Sequence, residues 1–491
     1  MTPAIQLQHL INGAWQDGTA SPLASSNPAR PDETVAHGLQ ASDAEVDRAM
    51  AAATAAKRDW ARTPAHERGA VLLRAAASLE ESASDLGLEL AREEGKTRPE
   101  GEGEVLRAAQ ILRYYGNDGD RAAGGIYSSP RRGEKILVTR KPLGVIGVVT
   151  PFNFPIAIPA WKIGPALAYG NTVVWKPAST VPLLAMRLAQ ALGAAGLPAG
   201  VLNLLIGPGS MGNSIVEHHA LDGLTFTGST GVGRSLASKA AGRGVPVQAE
   251  MGGKNAAVVL SDADLDLAVE QVMLGAFRSS GQKCTATSRL IVAENIADEF
   301  LAELGKRAAN LLIGDPTAAG TEMGPVINAS ARKSIQQGID TALAQGASLL
   351  AGGHPYTEGA LADGHFIAPT VLELPGDGTQ NVWTEELFGP VLSVRRAQST
   401  QEAFELANDS EFGLSAALFT QDLTTALSAM DEIDVGILHI NSESAGADPH
   451  VPFGGAKKSG YGPKEQGEAA REFFAHTTTV YLRGGAGSVQ S

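Results

Sequence analysis

From residue 135 onward, short apolar runs alternate with longer segments in which apolar residues recur every three or four positions. The runs are rich in β-branched residues, as buried strands are, and the segments between them have helical spacing. Five such runs occur in the first half of the chain: 143–149, 172–176, 201–206, 223–227 and 245–249. Strands that alternate with helices of about 10–15 residues form parallel sheets through βαβ units. Because the pattern begins again after Asp262 and continues to Ile440, we predict two α/β domains joined near residues 250–253.

The first 118 residues have a different pattern and are predicted to be mainly helical. Asn12-Gly13 lies between short apolar stretches and is typical of a hairpin turn. Ser42 and Glu45 have the spacing of a capping box, which starts a helix. Gly95 is placed to end a helix in the left-handed conformation. The predicted helical stretches run from the Ser42–Glu45 capping box to about residue 61, from about 66 to 94 in one or two pieces, and from about 101 to 118.

Composition and charge exclude several classes of protein. The chain has 491 residues, 43% of them hydrophobic, and a formal net charge of −14. This acidic balance argues against nucleic-acid binding, which needs a basic face. The most apolar stretch, 145–169, is broken by four prolines and is not expected to span a membrane. The first ten residues lack the pattern of a signal peptide, and a single cysteine fits a reducing compartment, so we expect a cytoplasmic protein without a metal centre.

Two glycine-rich loops follow predicted strands of the first α/β domain. Residues 207–212 are a literal G-x-G-x-x-G, and residues 227–233 open the helix after the next strand. Either loop can present backbone N–H groups and a helix N-terminus to a pyrophosphate. Lys176 ends a third strand, where its ammonium can meet ribose or phosphate oxygens or simply be solvated. Together the two loops favour a dinucleotide site.

Two further residues are candidates for covalent chemistry. Glu250 ends a strand before Gly252-Gly253 and is either a general base or a salt-bridge partner. Cys284, the only cysteine, is either a small buried residue or a nucleophile. No histidine is placed to pair with it, so a papain-like Cys–His hydrolase is disfavoured and Cys284 with Glu250 is the more coherent pair.

Seven segments carry a resemblance to a known family. In chain order they are Phe152-Asn153-Phe154-Pro155, Trp175-Lys176-Pro177, Phe226-Thr227-Gly228-Ser229, Glu250-Met251-Gly252-Gly253-Lys254, Gly281-Gln282-Lys283-Cys284, Glu386-Leu387-Phe388-Gly389-Pro390 and Pro452-Phe453-Gly454-Gly455. Their order and spacing, from about residue 10 to 481, resemble the NAD(P)-dependent aldehyde dehydrogenase superfamily. Segments 448–455 and 462–467 resemble most the bacterial 2,5-dioxopentanoate (α-ketoglutarate semialdehyde) dehydrogenases.

The resemblance implies a catalytic role for three residues. Cys284 would attack the aldehyde carbon to give a thiohemiacetal, and the amide of Asn153 with the Cys284 N–H would hold the oxyanion. After hydride transfer, Glu250 would activate the water that hydrolyses the thioester. Glu465 would lie on the proton route behind Glu250.

The resemblance also implies cofactor and substrate contacts. The pyrophosphate would lie over the loop that begins at Phe226, which leaves the literal G-x-G-x-x-G nearer the adenine. The implied cofactor-binding residues are Thr150, Pro151, Lys176, Ser179, Gly209, Thr227, Gly228, Ser229, Gly252, Glu386 and Phe388. The implied substrate tunnel consists of Phe154, Trp161, Lys283, Thr285 and Phe453.

Two departures from the family pattern bear on specificity. Many NAD-preferring members have Glu where this chain has Ser179, so we predict that NADP is accepted alongside NAD and even preferred. Arg278 lies six residues before Cys284, where the dioxopentanoate enzymes usually have an aromatic residue. Arg278 either faces the tunnel and binds a substrate carboxylate or faces solvent.

The resemblance finally implies a domain organisation. Residues 1–118 and 143–250 would form the cofactor-binding domain and 251–470 the catalytic domain, both Rossmann-like. Residues 119–142 and 471–491 would form a small β oligomerisation arm whose strands pair across subunits, giving a homodimer or homotetramer.

Three alternatives remain beside hydrolytic oxidation of an aldehyde such as 2,5-dioxopentanoate. The first is a broad-specificity enzyme for aliphatic or aromatic aldehydes. The second is a relative that transfers the acyl group to CoA, which Glu250 disfavours. The third is a catalytically silent scaffold protein, which an intact Cys284, Glu250 and Asn153 disfavour.

Overall fold

The structure is a computed structural model that describes residues 3–121, 123–376 and 380–484. Its strands are β1 (Ile5–Gln6), β2 (His9–Ile11), β3 (Ala14–Gln16), β4 (Pro22–Asn27), β5 (Arg30–Leu39), β6 (Gly125–Ser128), β7 (Glu134–Pro142), β8 (Val145–Val149), β9 (Thr172–Lys176), β10 (Leu202–Leu204), β11 (Gly223–Thr227), β12 (Val247–Glu250), β13 (Asn255–Val259), β14 (Thr287–Ala293), β15 (Ser348–Ala351), β16 (Thr370–Glu373), β17 (Val391–Ala397), β18 (Phe412–Gly413), β19 (Ser415–Phe419), β20 (Ile437–Ile440), β21 (Ala456–Lys457), β22 (Gly460–Tyr461) and β23 (Ala475–Arg483).

Its α-helices are α1 (Asp43–Arg62), α2 (Ala65–Glu81), α3 (Ala83–Glu94), α4 (Arg98–Gly116), α5 (Ala157–Ala168), α6 (Leu183–Ala194), α7 (Met211–Glu217), α8 (Thr230–Ala241), α9 (Leu265–Phe277), α10 (Glu294–Ala309), α11 (Ala329–Ala344), α12 (Asn381–Thr384), α13 (Thr400–Asn408), α14 (Leu423–Glu432) and α15 (Ala469–Phe474). Short 3-10 turns occupy Asp118–Asp120, Arg278–Gly281 and Gly359–Leu361.

Local sequence signals explain the N-terminal helices. The Ser42–Glu45 capping box starts α1, and a second one, Thr97 with Glu100, starts α4. The predicted stretch 66–94 is two helices that meet at Ser82. Gly95 ends α3 with φ +99°, as predicted. These caps pair backbone groups that the first and last turns of a helix leave unpaired.

The first sheet has the order β22-β12-β11-β8-β9-β10-β2-β3. Strands β8 to β12 are parallel to one another. Across the sheet they stand in the order β10-β9-β8-β11-β12, so the third, second and first of these strands in the chain are followed by the fourth and fifth. The direction of winding therefore changes between β8 and β11. In doubly wound sheets this change opens a crevice at the carboxyl ends of the two strands, where ligands bind.

The second sheet has the order β15-β16-β17-β14-β13-β19-β20 and is parallel except for β15. Apolar side chains cover both faces of each sheet, as parallel sheets require. Only four residues, 251–254, separate β12 in the first sheet from β13 in the second. The prediction of two parallel α/β sheets that meet near Glu250 is confirmed, whereas the exact domain bounds stay a prediction.

A third sheet, β23-β7-β6, stands apart from the two parallel sheets. The expectation that the strands at 135–140 and 477–482 pair across subunits stays a prediction. In the structure β7 and β23 pair with each other in the same chain, antiparallel over nine residue pairs from Glu134–Arg483 to Pro142–Ala475. The chain returns from α15 directly beside β7, so this pairing needs no second subunit. One edge of β23 stays without a neighbouring strand in the described chain. Residues 485–491 of the predicted arm lie outside the described residues.

The sequence reasoning missed the small sheet β1-β5-β4 in the N-terminal region. Strand β4 reads Pro-Leu-Ala-Ser-Ser-Asn, with too few apolar residues to alternate, and β1 has only two residues. Its register is also irregular near Ser25 to Asn27. Pairing partners rather than local pattern create this sheet. Within the described residues, no helix is long and apolar enough to cross a membrane.

Candidate active site

Cys284 lies in the connection between α9 and β14. Three consecutive residues before it, Ser279, Ser280 and Gly281, have φ of 52°, 55° and 67°. Left-handed backbone is costly for residues with a Cβ, and a Cβ on Gly281 would collide with the carbonyl of Gly389. The turn is held by hydrogen bonds from the Ser279 N–H to Glu100 (2.7 Å) and from the Ser280 hydroxyl to a carbonyl of the loop after α10 (2.9 Å). This strained connection fixes where the thiol is presented.

The backbone at Cys284 is anchored where the two sheets meet. Its carbonyl accepts a hydrogen bond from Asn255 Nδ2 at 2.7 Å, and Asn255 Oδ1 accepts from the Ser415 N–H at 3.0 Å. A Cβ on Gly253 would lie 2.7 Å from the Cys284 carbonyl oxygen. The Gly-Gly turn after β12 is therefore required for close backbone approach, which brings Glu250 and Cys284 into one site.

The environment of Cys284 holds the thiol protonated. Burial raises its pKa to about 12, and the negative charges of Glu386 and Glu250 add to the rise, while the Thr285 N–H opposes it. Only the thiolate is a nucleophile. Attack by Cys284 therefore needs a base or a change of environment when substrate and cofactor bind.

Glu250 ends β12 and is buried. One oxygen accepts a hydrogen bond from the Gly455 N–H at 2.9 Å, and a Cβ on Gly454 would collide with the other. Burial and the charge of Glu465 raise the Glu250 pKa well above its ordinary value, while the Gly455 N–H, Lys464 and Lys162 oppose the rise. A carboxyl with a raised pKa is a stronger base once ionised, as general-base catalysis near neutral pH requires.

A fully buried ion pair lies behind Glu250. Lys162, on α5, donates to Glu465 and to the Thr225 hydroxyl (2.9 Å). Burial lowers the pKa of Lys162 and raises that of Glu465, and each charge partly offsets the shift of the other. The electrostatic influence of both reaches Glu250, so protons at the three groups are interdependent.

A cavity of about 370 Å³ opens in front of Cys284. It is lined by the predicted tunnel residues Phe154, Trp161, Lys283, Thr285 and Phe453. The rings of Trp161 and Phe453 are 5.4 Å apart and tilted, which makes an apolar wall. A cavity of this volume, with an apolar wall beside polar and charged groups, is suited to a small molecule.

Asn153 is buried immediately before the cavity-lining Phe154. Its backbone carbonyl accepts a hydrogen bond from Lys96 Nζ at 2.7 Å, and Lys96 also lies 4.1 Å from the centre of the Phe154 ring. Its side-chain Oδ1 has no hydrogen-bond partner within the described protein. Lys96 thus fixes the backbone of Asn153 and leaves its amide available for another group.

Charged residues surround the mouth of the cavity. Arg278 lines it with its side chain 49% exposed, and its Nη1 lies 3.1 Å from Glu443. The Arg278 side chain thus contacts both the cavity and solvent, and its binding of a substrate carboxylate stays a prediction. Arg107, from α4, also lines the cavity and was not anticipated from the sequence.

The crevice between β8 and β11 brings the predicted pyrophosphate residues together. Thr150 and Pro151 follow β8, and Thr227 ends β11. Gly228 and Ser229 follow it, with Ser229 at the N-cap of α8. Thr227 Oγ1 is buried without a hydrogen-bond partner in the described protein. Buried polar atoms normally have a partner, so a ligand in the crevice would complete the hydrogen bonding of this hydroxyl. The crevice fits the phosphates of a dinucleotide at a helix N-terminus.

The adjacent strand ends hold the remaining residues of this crevice. Lys176 is buried at the end of β9, and burial lowers its pKa to about 8. Ser179 is partly buried three residues later. Gly209, before α7, has open space where a Cβ would stand, so nothing in the structure requires glycine there.

Glu386 connects the two halves of the site. Its Oε1 accepts a hydrogen bond from the Gly253 N–H at 3.0 Å, and a Cβ on Gly252 would collide with its carboxylate. Phe388 has φ 54° and packs edge-on against Phe152 at 5.7 Å. Nearby, burial lowers the pKa of Lys254 to about 7, a feature that the sequence reasoning did not single out. The residues present therefore fit a nicotinamide ribose between the crevice and Cys284.

Two parallel sheets, a crevice that fits a dinucleotide and a cavity lined by a thiol are the features expected of a cofactor-dependent enzyme. Comparison with known proteins agrees: the family model described as "Aldehyde dehydrogenase family" matches residues 15–480. The chain belongs to the aldehyde dehydrogenase family. It is thus an NAD(P)-dependent oxidoreductase acting on aldehydes.

Individual relatives match over nearly their whole length. The chain is 41% identical to alpha-ketoglutaric semialdehyde dehydrogenase of Bacillus subtilis over 477 residues, covering 97% of this chain and 98% of the relative. It is 38% identical to vanillin dehydrogenase of Corynebacterium glutamicum over 470 residues, covering 95% and 96%. Among solved structures, PnpE of Pseudomonas sp. WBC-3 in complex with nicotinamide adenine dinucleotide has a TM-score of 0.94 at 36% identity, covering 98% of each chain.

Proposed function

We propose that the protein oxidises an aldehyde to a carboxylic acid through a thioester on Cys284. The observation that carries the proposal is that Cys284 lines a cavity of about 370 Å³ while Glu250 and Glu386 lie near enough to raise its pKa. The Cys284 thiol releases its proton to solvent, and the thiolate forms a C–S bond with the aldehyde carbon. The carbonyl electron pair moves onto oxygen, which gives the thiohemiacetal as its oxyanion.

The developing oxyanion needs hydrogen-bond donors. We assign this role to the side-chain amide of Asn153 and the backbone N–H of Cys284. The donor would be the Asn153 Nδ2, since the Oδ1, which has no partner in the described protein, can only accept a hydrogen bond. Donors arranged before the reaction stabilise charge that develops in the transition state.

Hydrolysis of the thioester is assigned to Glu250. A bound NAD(P) would supply the acceptor for the hydride that must leave the thiohemiacetal carbon to give a thioester on Cys284. Glu250 removes a proton from water, the water oxygen attacks the acyl carbon, and the Cys284 sulfur leaves as thiolate. The proton then passes toward Glu465 and Lys162, whose buried pair is electrostatically linked to Glu250.

The cofactor is assigned to the crevice between β8 and β11. Thr150, Pro151, Thr227, Gly228 and Ser229 would hold the pyrophosphate, with Gly252, Glu386 and Phe388 at the nicotinamide ribose and Lys176 and Gly209 at the adenosine. Ser179 adds no negative charge beside Lys176, so we expect NADP to be accepted and even preferred. A carboxylate there would repel a 2′-phosphate.

The substrate is proposed to be a semialdehyde with a carboxylate, such as 2,5-dioxopentanoate. The name of the Bacillus subtilis relative supports this class. The chain is almost as similar in sequence to a vanillin dehydrogenase, so an aromatic aldehyde is included among the substrates to be tested.

The test is NAD(P)H formation with 2,5-dioxopentanoate, succinic semialdehyde, vanillin and pentanal, with NAD or NADP and with or without CoA. We expect turnover with the first substrate, no requirement for CoA, and none with Cys284→Ala. A rate that depends on CoA identifies acyl transfer instead of hydrolysis, and no reduction with any aldehyde identifies a silent scaffold.

The free edge of β23 and exposed Tyr481 and Leu482 support assembly as a homodimer or homotetramer, which sedimentation velocity tests. A cytoplasmic location stays a prediction.

A further inference from the structure

Each cationic side chain that lines the Cys284 cavity already has a carboxylate partner. The pairs are Lys96–Glu104 at 2.7 Å, Arg107–Asp448 at 3.1 Å, Arg278–Glu443 at 3.1 Å and Lys283–Glu443 at 3.4 Å. A further carboxylate at the lining, Glu100, lies 4.0 Å from Arg278 Nε. Four cations thus face four carboxylates, and the formal charge around the cavity is balanced.

Glu443 differs from the other three partners because it serves two cations. One oxygen bonds Arg278, the other bonds Lys283, and its backbone N–H donates to Gln271 at 3.0 Å. Its side chain is only 17% exposed, so solvent screens it incompletely. Arg278 and Lys283 flank the two ends of the turn that leads to Cys284, so the charge of Glu443 lies where a substrate would extend from the thiol.

We propose that Glu443 is a specificity-determining residue: its negative charge keeps the cavity neutral and sets the discrimination between anionic and uncharged aldehydes. This inference rests on the proposed function only in that aldehydes react in this cavity. An anionic substrate competes with Glu443 for the N–H groups of Arg278 and is repelled by the Glu443 carboxylate. An uncharged aldehyde experiences neither effect.

The Glu443→Gln variant removes the charge and keeps the shape and a hydrogen-bond acceptor. The cavity then carries one uncompensated positive charge. We take the freed positive charge to lie about 7 Å from the substrate carboxylate, with an effective dielectric constant of about 40 because the site is half-exposed. Coulomb attraction then strengthens the binding of an anion about fivefold to tenfold.

The experiment compares 5-oxopentanoate with pentanal, which have the same chain length and differ in one carboxylate. We expect Glu443→Gln to lower KM for 5-oxopentanoate by about fivefold and to leave KM for pentanal unchanged. The conservative Glu443→Asp should restore the wild-type ratio of the two KM values. Glu303→Gln is the matched control, because Glu303 also bridges an arginine and a lysine, Arg307 and Lys306, on α10 away from the cavity. An unchanged or increased KM ratio of 5-oxopentanoate to pentanal in Glu443→Gln overturns the inference.

A second measurement does not depend on turnover. Glutarate should protect Cys284 from alkylation at about a fivefold lower concentration in Glu443→Gln than in wild type or Glu303→Gln, whereas glutaramide should protect all three equally. Equal protection by glutarate in all variants refutes the role of Glu443. If the wild type oxidises no aldehyde but the glutarate shift is present, the proposed catalytic function fails while the assignment of Glu443 stands.

Discussion

Replacement of Glu250 by Gln isolates its role as the base of the hydrolytic step. Gln has nearly the same shape, and its amide oxygen can still accept the hydrogen bond from the Gly455 N–H. The variant should therefore fold and bind substrate, and hydride transfer should still occur once per site. Only removal of a proton from water is lost.

The general range for base catalysis sets the expected loss of turnover, and the charges around Glu250 set the pH dependence. A positioned general base typically accelerates its step about 10²–10⁴-fold, so steady-state turnover should fall by that factor. In the wild type the thioester-hydrolysis rate should rise with pH through the raised pKa of Glu250, because the ionised form is the base, and this rise should be absent in the variant. The negative charge of Glu250 also raises the pKa of Cys284, so alkylation of Cys284 at fixed pH should be faster in Glu250→Gln.

Stopped-flow absorbance of NAD(P)H measures both steps at once. The expected result is a burst of one NAD(P)H per Cys284 followed by very slow turnover, with an acylated protein visible by mass spectrometry. The Glu303→Gln variant is a control for surface charge. Turnover within threefold of wild type would refute the assignment of Glu250, and loss of the burst together with turnover would mean that Glu250 acts before hydride transfer.

Three other predictions concern packing and cofactor choice. Lys162→Met leaves Glu465 buried without its cation and should destabilise the protein by roughly 3–5 kcal/mol. The double variant that also carries Glu465→Gln should recover much of this stability. Equal denaturation midpoints for Lys162→Met and wild type would contradict the prediction. Ser179→Glu should shift the NADP/NAD ratio of kcat/KM at least about tenfold toward NAD through charge repulsion, and an unchanged ratio would remove this residue from the cofactor site. Gly281→Ala combines φ +67° with a collision against Gly389 and should cost more than about 1 kcal/mol and most activity; wild-type thermal stability and activity would contradict the strained turn.

The periodic and capped segments were predictable because their signals are local. The helix beginning at Ser42 and the hairpin at Asn12-Gly13 depend on residues within a few positions of one another. The alternation of apolar runs and helices likewise predicted two parallel sheets. Asn12 and Gly13 have the positive φ values that such a turn needs.

Short polar strands and pairing partners were not predictable from local pattern. The β1-β5-β4 sheet and the β7–β23 pairing within one chain depend on contacts between residues far apart in sequence. A strand of two residues or a Ser-rich strand has no periodicity of its own.

The sequence by itself determined the family resemblance and the identity of the candidate nucleophile, base and dinucleotide loops. Tertiary structure alone decided their electrostatics. Glu443 is 159 residues from Cys284 in the chain, and no spacing links it to Arg278 or Lys283. The pairing of Lys162 with Glu465 across 303 positions is of the same kind. Charge interactions and pKa shifts depend on distance and burial in space, and these exist only once the sheets have packed.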